Sequence, residues 1–249
     1  MHANALRCNI LRSWSGPPVR GVALQSRTGR GWRLGLALLL APATGVAGQE
    51  LDPGPAIAPP GVADTLLADV RAGDTTIAIE ARYATDNNFT GAPLPGYGPN
   101  RIYLRREAAA ALARVQRRLA SGGMGLKVFD GYRPVRATLA MVEWARRTGQ
   151  MHLIEEGYIA SRSRHNLGLA VDLTLVDWSV GGREVDMGTA YDTFSAAAHW
   201  ANATGRTLRY RQLLRRVMEA EGFRQYDLEW WHYSYEVPGE PVAFDREVW

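Results

Sequence analysis

Two short stretches of this 249-residue chain carry side chains that can hold a metal ion and move a proton. The first is Ser163-Arg164-His165-Asn166-Leu167-Gly168-Leu169-Ala170-Val171-Asp172. Leu167, Leu169, Val171, Leu173 and Leu175 alternate with Gly168, Ala170, Asp172 and Thr174. A strand with that alternation sends the apolar set to the core and Asp172 to the opposite face. Gly168 permits a kink between strand and His165, so His165 and Asp172 can share a site. The second stretch is Glu229-Trp230-Trp231-His232, a carboxylate ahead of an imidazole at the mouth of an aromatic strand. Two His and one carboxylate form a common catalytic zinc set with the fourth position open to water. Zinc lowers the pKa of that water to about 7. A further carboxylate must then pass the proton to a leaving amine, and Glu229 suits that task. Arg133, in Asp130-Gly131-Tyr132-Arg133-Pro134 at a strand–helix junction, suits stabilisation of an oxyanion.

The elements that must position these groups can be read from the pattern. Thr75 to Tyr83 alternates as a strand, and Thr85 to Asn100 is a long Asn-, Gly- and Pro-rich loop. Arg105 to Ser121 has helical spacing and stops at Gly122-Gly123, and Gly125 to Asp130 is a short strand. Pro134 is placed as the first residue of a helix reaching Arg147. Ala170 to Val176 and Trp230 to Val237 are strands, and Leu208 to Glu221 is a helix ended by Gly222. Strands and helices interleave without the regular spacing of βαβ units, which predicts an α+β fold.

Charge and composition exclude other classes. The net charge is +4, but residues 1–48 hold six Arg and no acidic residue; the rest has 23 basic against 25 acidic side chains, a net of −2. No basic surface for nucleic acid is therefore expected. The Arg-rich start, the apolar run Leu34 to Ala41 and the small residues up to Gly48 have the form of a Sec-type signal peptide. The apolar run is far short of the roughly 20 residues that span a bilayer. The expected organisation is a cleaved signal peptide over 1–48, a flexible connector over 49–61 and one catalytic domain over 62–249. It implies a periplasmic or secreted protein without a lasting membrane anchor. The single cysteine, Cys8, falls in the leader, so any metal must be held by His, Asp or Glu. Beyond the leader there are four His, of which His152 and His199 read as surface or packing residues.

The set SxHxxGxAxD followed by ExxH within Glu229-Trp230-Trp231-His232-Tyr233 resembles the zinc D,D-peptidases, and more closely the D-alanyl-D-alanine dipeptidases of the VanX type. Tyr83-Ala84-Thr85 with Asn88-Phe89-Thr90-Gly91, the Asp130 to Pro134 segment and Met187-Gly188-Thr189-Ala190-Tyr191-Asp192 extend the resemblance from about residue 62 to the C-terminus. It implies a hedgehog/D,D-peptidase-like fold with a central antiparallel sheet carrying the zinc and flanking helices. It also implies one Zn2+ per chain on His165, Asp172 and His232, Glu229 as base and acid, and Arg133 on the scissile carbonyl. Asp192, helped by Tyr83, would hold the substrate ammonium, and Ser163 the carboxylate end. The implied activity is hydrolysis of the free dipeptide in peptidoglycan metabolism. The alternatives are a D,D-carboxypeptidase or endopeptidase of longer wall peptides, and a non-catalytic zinc wall-binding module.

Overall fold

The computed structural model describes residues 56–249; the leader and the first part of the expected connector lie outside the described residues. A six-stranded sheet carries the domain. Its continuous order is β2 (Ala78–Ile79), β4 (Met124–Asp130), β5 (Ala170–Asp177), β8 (His232–Tyr235) and β7 (Phe223–Gln225), with β6 (Arg183–Glu184) pairing the end of β5. A separate antiparallel pair joins β1 (Leu67–Asp69) to β3 (Tyr103–Arg105). The expected antiparallel sheet is found, save that β2 runs parallel to β4.

One face of the sheet is sealed by helices. Val171, Leu173 and Leu175 of β5 and Leu126 and Val128 of β4 join one apolar core. In it they meet Leu112, Val115 and Leu119 of α2 (Arg106–Ala120) and Leu214 and Met218 of α5 (Gly205–Glu219). Burying such side chains contributes roughly 1.5–3 kcal/mol each, so this face fixes the register of the strands. A slip of one residue would exchange the two faces of β5 and carry Asp172 into the helices. α3 (Val135–Arg147) lies over a second, smaller core in which Ala137, Met141 and Ala145 pack with Tyr83 and Leu94.

Several boundaries differ from the sequence pattern for identifiable reasons. The strand expected over Thr75 to Tyr83 pairs only at Ala78–Ile79. Beyond it, the Ala81 N–H goes to the Asn100 side chain, and Arg82–Ala84 curls into a 3-10 turn. The last strand is His232–Tyr235, shorter than the aromatic run, and Pro134 caps α3 from an extended backbone instead of opening it. α5 begins at Gly205, almost a turn earlier than expected. Leu167 belongs to a 3-10 helix, Arg164–Leu167, and not to the strand.

Gly168 makes the turn between that 3-10 helix and β5. It sits at φ +66°, and a Cβ there would come within 2.5 Å of the Leu67 side chain. Gly168→Ala is expected to destabilise the protein by about 1–3 kcal/mol, from left-handed strain and overpacking together. A shift in the denaturant midpoint at unchanged slope would report it.

Candidate active site

Register alone brings the central groups together. Asp130 pairs with Asp172 across β4 and β5, and Asp172 pairs with His232 across β5 and β8. The three side chains therefore form one row across three neighbouring strands, on the face turned away from α2 and α5. His165 arrives from the 3-10 helix before β5. Its N–H is capped by the Ser163 hydroxyl at 3.2 Å, while Asn166 Oδ1 accepts from the Ser163 N–H at 3.2 Å. Gly131, whose Cβ would meet Ile102 at 2.5 Å, lets its carbonyl accept from His165 Nδ1 at 2.6 Å.

That backbone bond places the His165 hydrogen on Nδ1 and leaves a lone pair on Nε2. Nε2 lies 3.2 Å from His232 Nδ1 and 3.4 Å from Asp172 Oδ1, and His232 Nδ1 lies 3.0 Å from the same oxygen. Three donor atoms thus form a triangle with edges of 3.0–3.4 Å. A tetrahedral ion with bonds of 2.0–2.1 Å requires edges of roughly 3.3 Å. The residues present fit zinc in geometry and in donor chemistry. Burial lowers the His232 pKa and so favours the neutral, ligating imidazole. Although burial works the other way, the facing imidazoles hold the Asp172 carboxyl well below the usual carboxylate range.

Glu229 is buried, with Oε2 at 3.8 Å from His232 Nδ1. Burial first, and then the charges of Asp172 and Asp192, push its carboxyl up, as suits a group that must both take and return a proton. Arg133 is also buried. Asp130 Oδ2 accepts from its Nε at 3.0 Å and from its Nη2 at 2.8 Å, while Nη1 lies against the Met141 sulfur at 3.4 Å. The guanidinium stands 5.0 Å over the Tyr83 ring. Tyr83 in turn donates to Asp192, with its Oη at 3.1 and 3.2 Å from the two carboxylate oxygens. Asp192 is the one non-glycine among the described residues with positive φ, at 60°. Asp tolerates that conformation better than most residues. Burial, followed by the nearby Asp172, raises its carboxyl pKa.

All eight residues singled out in the sequence line one pocket. Ser163 is first of all a helix cap; its oxygen accepts from the backbone, which leaves the hydroxyl hydrogen to be donated elsewhere. His152 is exposed, and His199 is half-buried beside the Tyr158 hydroxyl at 3.0 Å, so neither joins the cluster. Sequence reasoning missed Asp130, which is fully buried and also accepts from Tyr97 Oη at 2.6 Å. The signal was available: a carboxylate that ends an apolar strand three residues before an arginine. The C-terminal segment, also missed, braces the site from behind. Phe244 N–H donates to the Asn166 carbonyl, the Phe244 carbonyl accepts from Val135 N–H, and Asn166 Nδ2 donates to the Arg133 carbonyl at 2.9 Å.

The Asp130–Arg133 pair is buried, so removing one charge leaves the other uncompensated. Asp130→Asn keeps the shape and is expected to cost about 3–5 kcal/mol of unfolding free energy, measurable by denaturant titration of the metal-free protein.

Comparisons with known proteins agree with this geometry. Residues 64–247 match the family model of the M15 peptidases described as D-Ala-D-Ala dipeptidase. The D-alanyl-D-alanine dipeptidase of Enterococcus faecium is 39% identical over 170 residues, covering 62% of this chain and 83% of that protein. The D-alanyl-D-alanine dipeptidase of Streptomyces coelicolor is 36% identical over 185 residues, covering 68% and 91%. A solved variant of the vancomycin-resistance D,D-pentapeptidase VanY in complex with Zn(II) aligns over 55% of this chain and 74% of its own. Its identity is 21% and its TM-score 0.36, a likeness too slight to bear weight. On the family match over most of its length, this chain belongs to the D-Ala-D-Ala dipeptidase family of the M15 peptidases.

Proposed function

We propose that the protein hydrolyses free D-alanyl-D-alanine to two molecules of D-alanine, with zinc on His165, Asp172 and His232. The observation that carries this reading is the placing of Glu229 and the Tyr83–Asp192 pair in one pocket with the three-donor triangle. Zinc bound there would supply Lewis acidity toward the peptide carbonyl and lower the pKa of water.

The protein's own groups account for the rest. Asp192, steadied by the Tyr83 hydroxyl, takes the substrate ammonium in a charge-assisted bond. Ser163, whose oxygen is already engaged by the His165 N–H, donates its hydroxyl hydrogen to the carboxylate end. Together they measure the two opposite charges of a zwitterionic dipeptide. Glu229 Oε2 accepts the proton of the attacking water and returns it to the leaving nitrogen. Burial and the neighbouring carboxylates raise its pKa, which favours its taking up the proton. Arg133, held at Nε and Nη2 by Asp130 and with Nη2 3.9 Å from Asp172 Oδ2, offers its positive charge to the oxygen on which charge develops. Its fixed orientation avoids reorganisation at that moment.

Export belongs to the same proposal. The Arg-rich leader and the apolar run after it support cleavage before Gln49 and a periplasmic location. Dipeptide released in wall turnover is then the accessible substrate. Among the described residues no helix is long and apolar enough to cross a membrane.

D-alanine release from D-Ala-D-Ala and from its N-acetylated form, by the zinc-loaded protein, tests the reading. The free dipeptide is expected to be cut, with kcat/KM at least about tenfold to a hundredfold above the blocked one, since acetylation removes the charge that meets Asp192. Glu229→Ala is expected to lower kcat by about 10²–10⁴. Preference for the blocked peptide would make the protein a carboxypeptidase. Zinc binding without cleavage of either would make it a binding module.

A further inference from the structure

The two oxygens of Asp172 face different neighbours. Oδ1 meets the imidazole nitrogens of His232 and His165, while Oδ2 accepts the Tyr191 hydroxyl at 2.9 Å. The same phenol oxygen lies 3.1 Å from Tyr83 Oη. We infer that Tyr191 is a positioning residue of the metal site: its phenol occupies Asp172 Oδ2 and so presents Oδ1 alone to the ion. The inference rests on the zinc-peptidase reading above and assigns a role outside the triangle of donors.

The hydroxyl is held in place from several sides. The Tyr191 ring packs at 4.8 Å on Phe129, at 5.4 Å edge-on to Trp231 and at 6.2 Å beside Tyr83. The left-handed turn at Asp192 lets two successive residues serve the site, Tyr191 at the ligand and Asp192 at Tyr83. Hydrogen counting then separates their tasks. Asp172, Tyr191, Tyr83 and Asp192 make three contacts in a row, but the two phenols own two hydrogens. Both ends are carboxylates, which attract the hydrogens more strongly than a neutral oxygen does. Tyr191 therefore donates to Asp172 and Tyr83 donates to Asp192, and the middle contact carries no hydrogen. The chemistry assigns one phenol to the metal ligand and the other to the ammonium pocket. Outer partners of this kind typically set metal affinity by 10–100-fold.

The test compares Tyr191→Phe and Tyr83→Phe with the wild-type mature chain. Zinc affinity is read by competition with a chromophoric chelator, and KM and kcat on D-Ala-D-Ala at saturating zinc. Tyr191→Phe is expected to weaken zinc binding about 10–100-fold with KM within about twofold of wild type. Tyr83→Phe is expected to raise KM about tenfold and leave zinc affinity unchanged. Phe129→Leu, which loosens the packing of the Tyr191 ring but spares its hydroxyl, is the control for a merely structural effect. Equal zinc affinity in wild type and Tyr191→Phe overturns the inference alone, as does an equal loss in Phe129→Leu or Tyr83→Phe. A wild-type chain that takes up no zinc overturns the functional reading and this inference with it.

Discussion

The site depends first on cross-strand register. Asp130, Asp172 and His232 stand side by side because β4, β5 and β8 pair where they do, and that pairing is enforced by the apolar face on the other side of the sheet. The catalytic face of β5 is as buried as its core face, so the ionisable groups around Asp172 must satisfy one another. Hence the dense contacts: Asp130 with Arg133 and Tyr97, Asp172 with two imidazoles and a phenol. Unpaired, such groups would each cost several kcal/mol.

Burial also sorts the carboxyls into roles. Asp172 faces imidazoles and is held ionised, while Glu229 and Asp192 lie among other negative charges and are pushed up. Environments that drive similar groups apart in pKa let one pocket hold carboxyls of different character, as the proposed division of ligand, proton carrier and cation receptor requires. The α-helices contribute no member of the triangle. They supply the stiffness that keeps a triangle with edges of 3.0–3.4 Å from relaxing outward.

Much of this was legible in the chain because the informative residues lie on regular elements. The alternation around Asp172 gives its face, and Gly168 marks the turn that brings His165 back. All eight residues named from sequence reached one pocket, although Asp192, Tyr83 and Ser163 were named only through the resemblance. What stayed hidden depended on distant partners. The run from Thr75 to Tyr83 has strand chemistry, yet β4 pairs with only two of its residues; after the Glu80 N–H reaches the Val128 carbonyl, the Asn100 side chain takes the Ala81 N–H. Asp130 looked like the end of a strand because its partners, Tyr97 and Arg133, meet it only in three dimensions. The left-handed backbone at Asp192 leaves no trace in composition, since Asp occurs in turns of many kinds.

The C-terminal segment has a consequence of its own. Residues 243–249 contribute no group to the pocket, yet Phe244 bonds the main chain of both Asn166 and Val135, Asp245 caps α3 through the Arg136 N–H, and the Arg246 carbonyl accepts from Tyr132 Oη at 2.7 Å. These bonds converge on the two loops that deliver Arg133 and His165. Phe244 and Val248 also fill an apolar cluster with Leu67, Tyr103 and Tyr132, so loss of this segment would open that cluster and unpin both loops together.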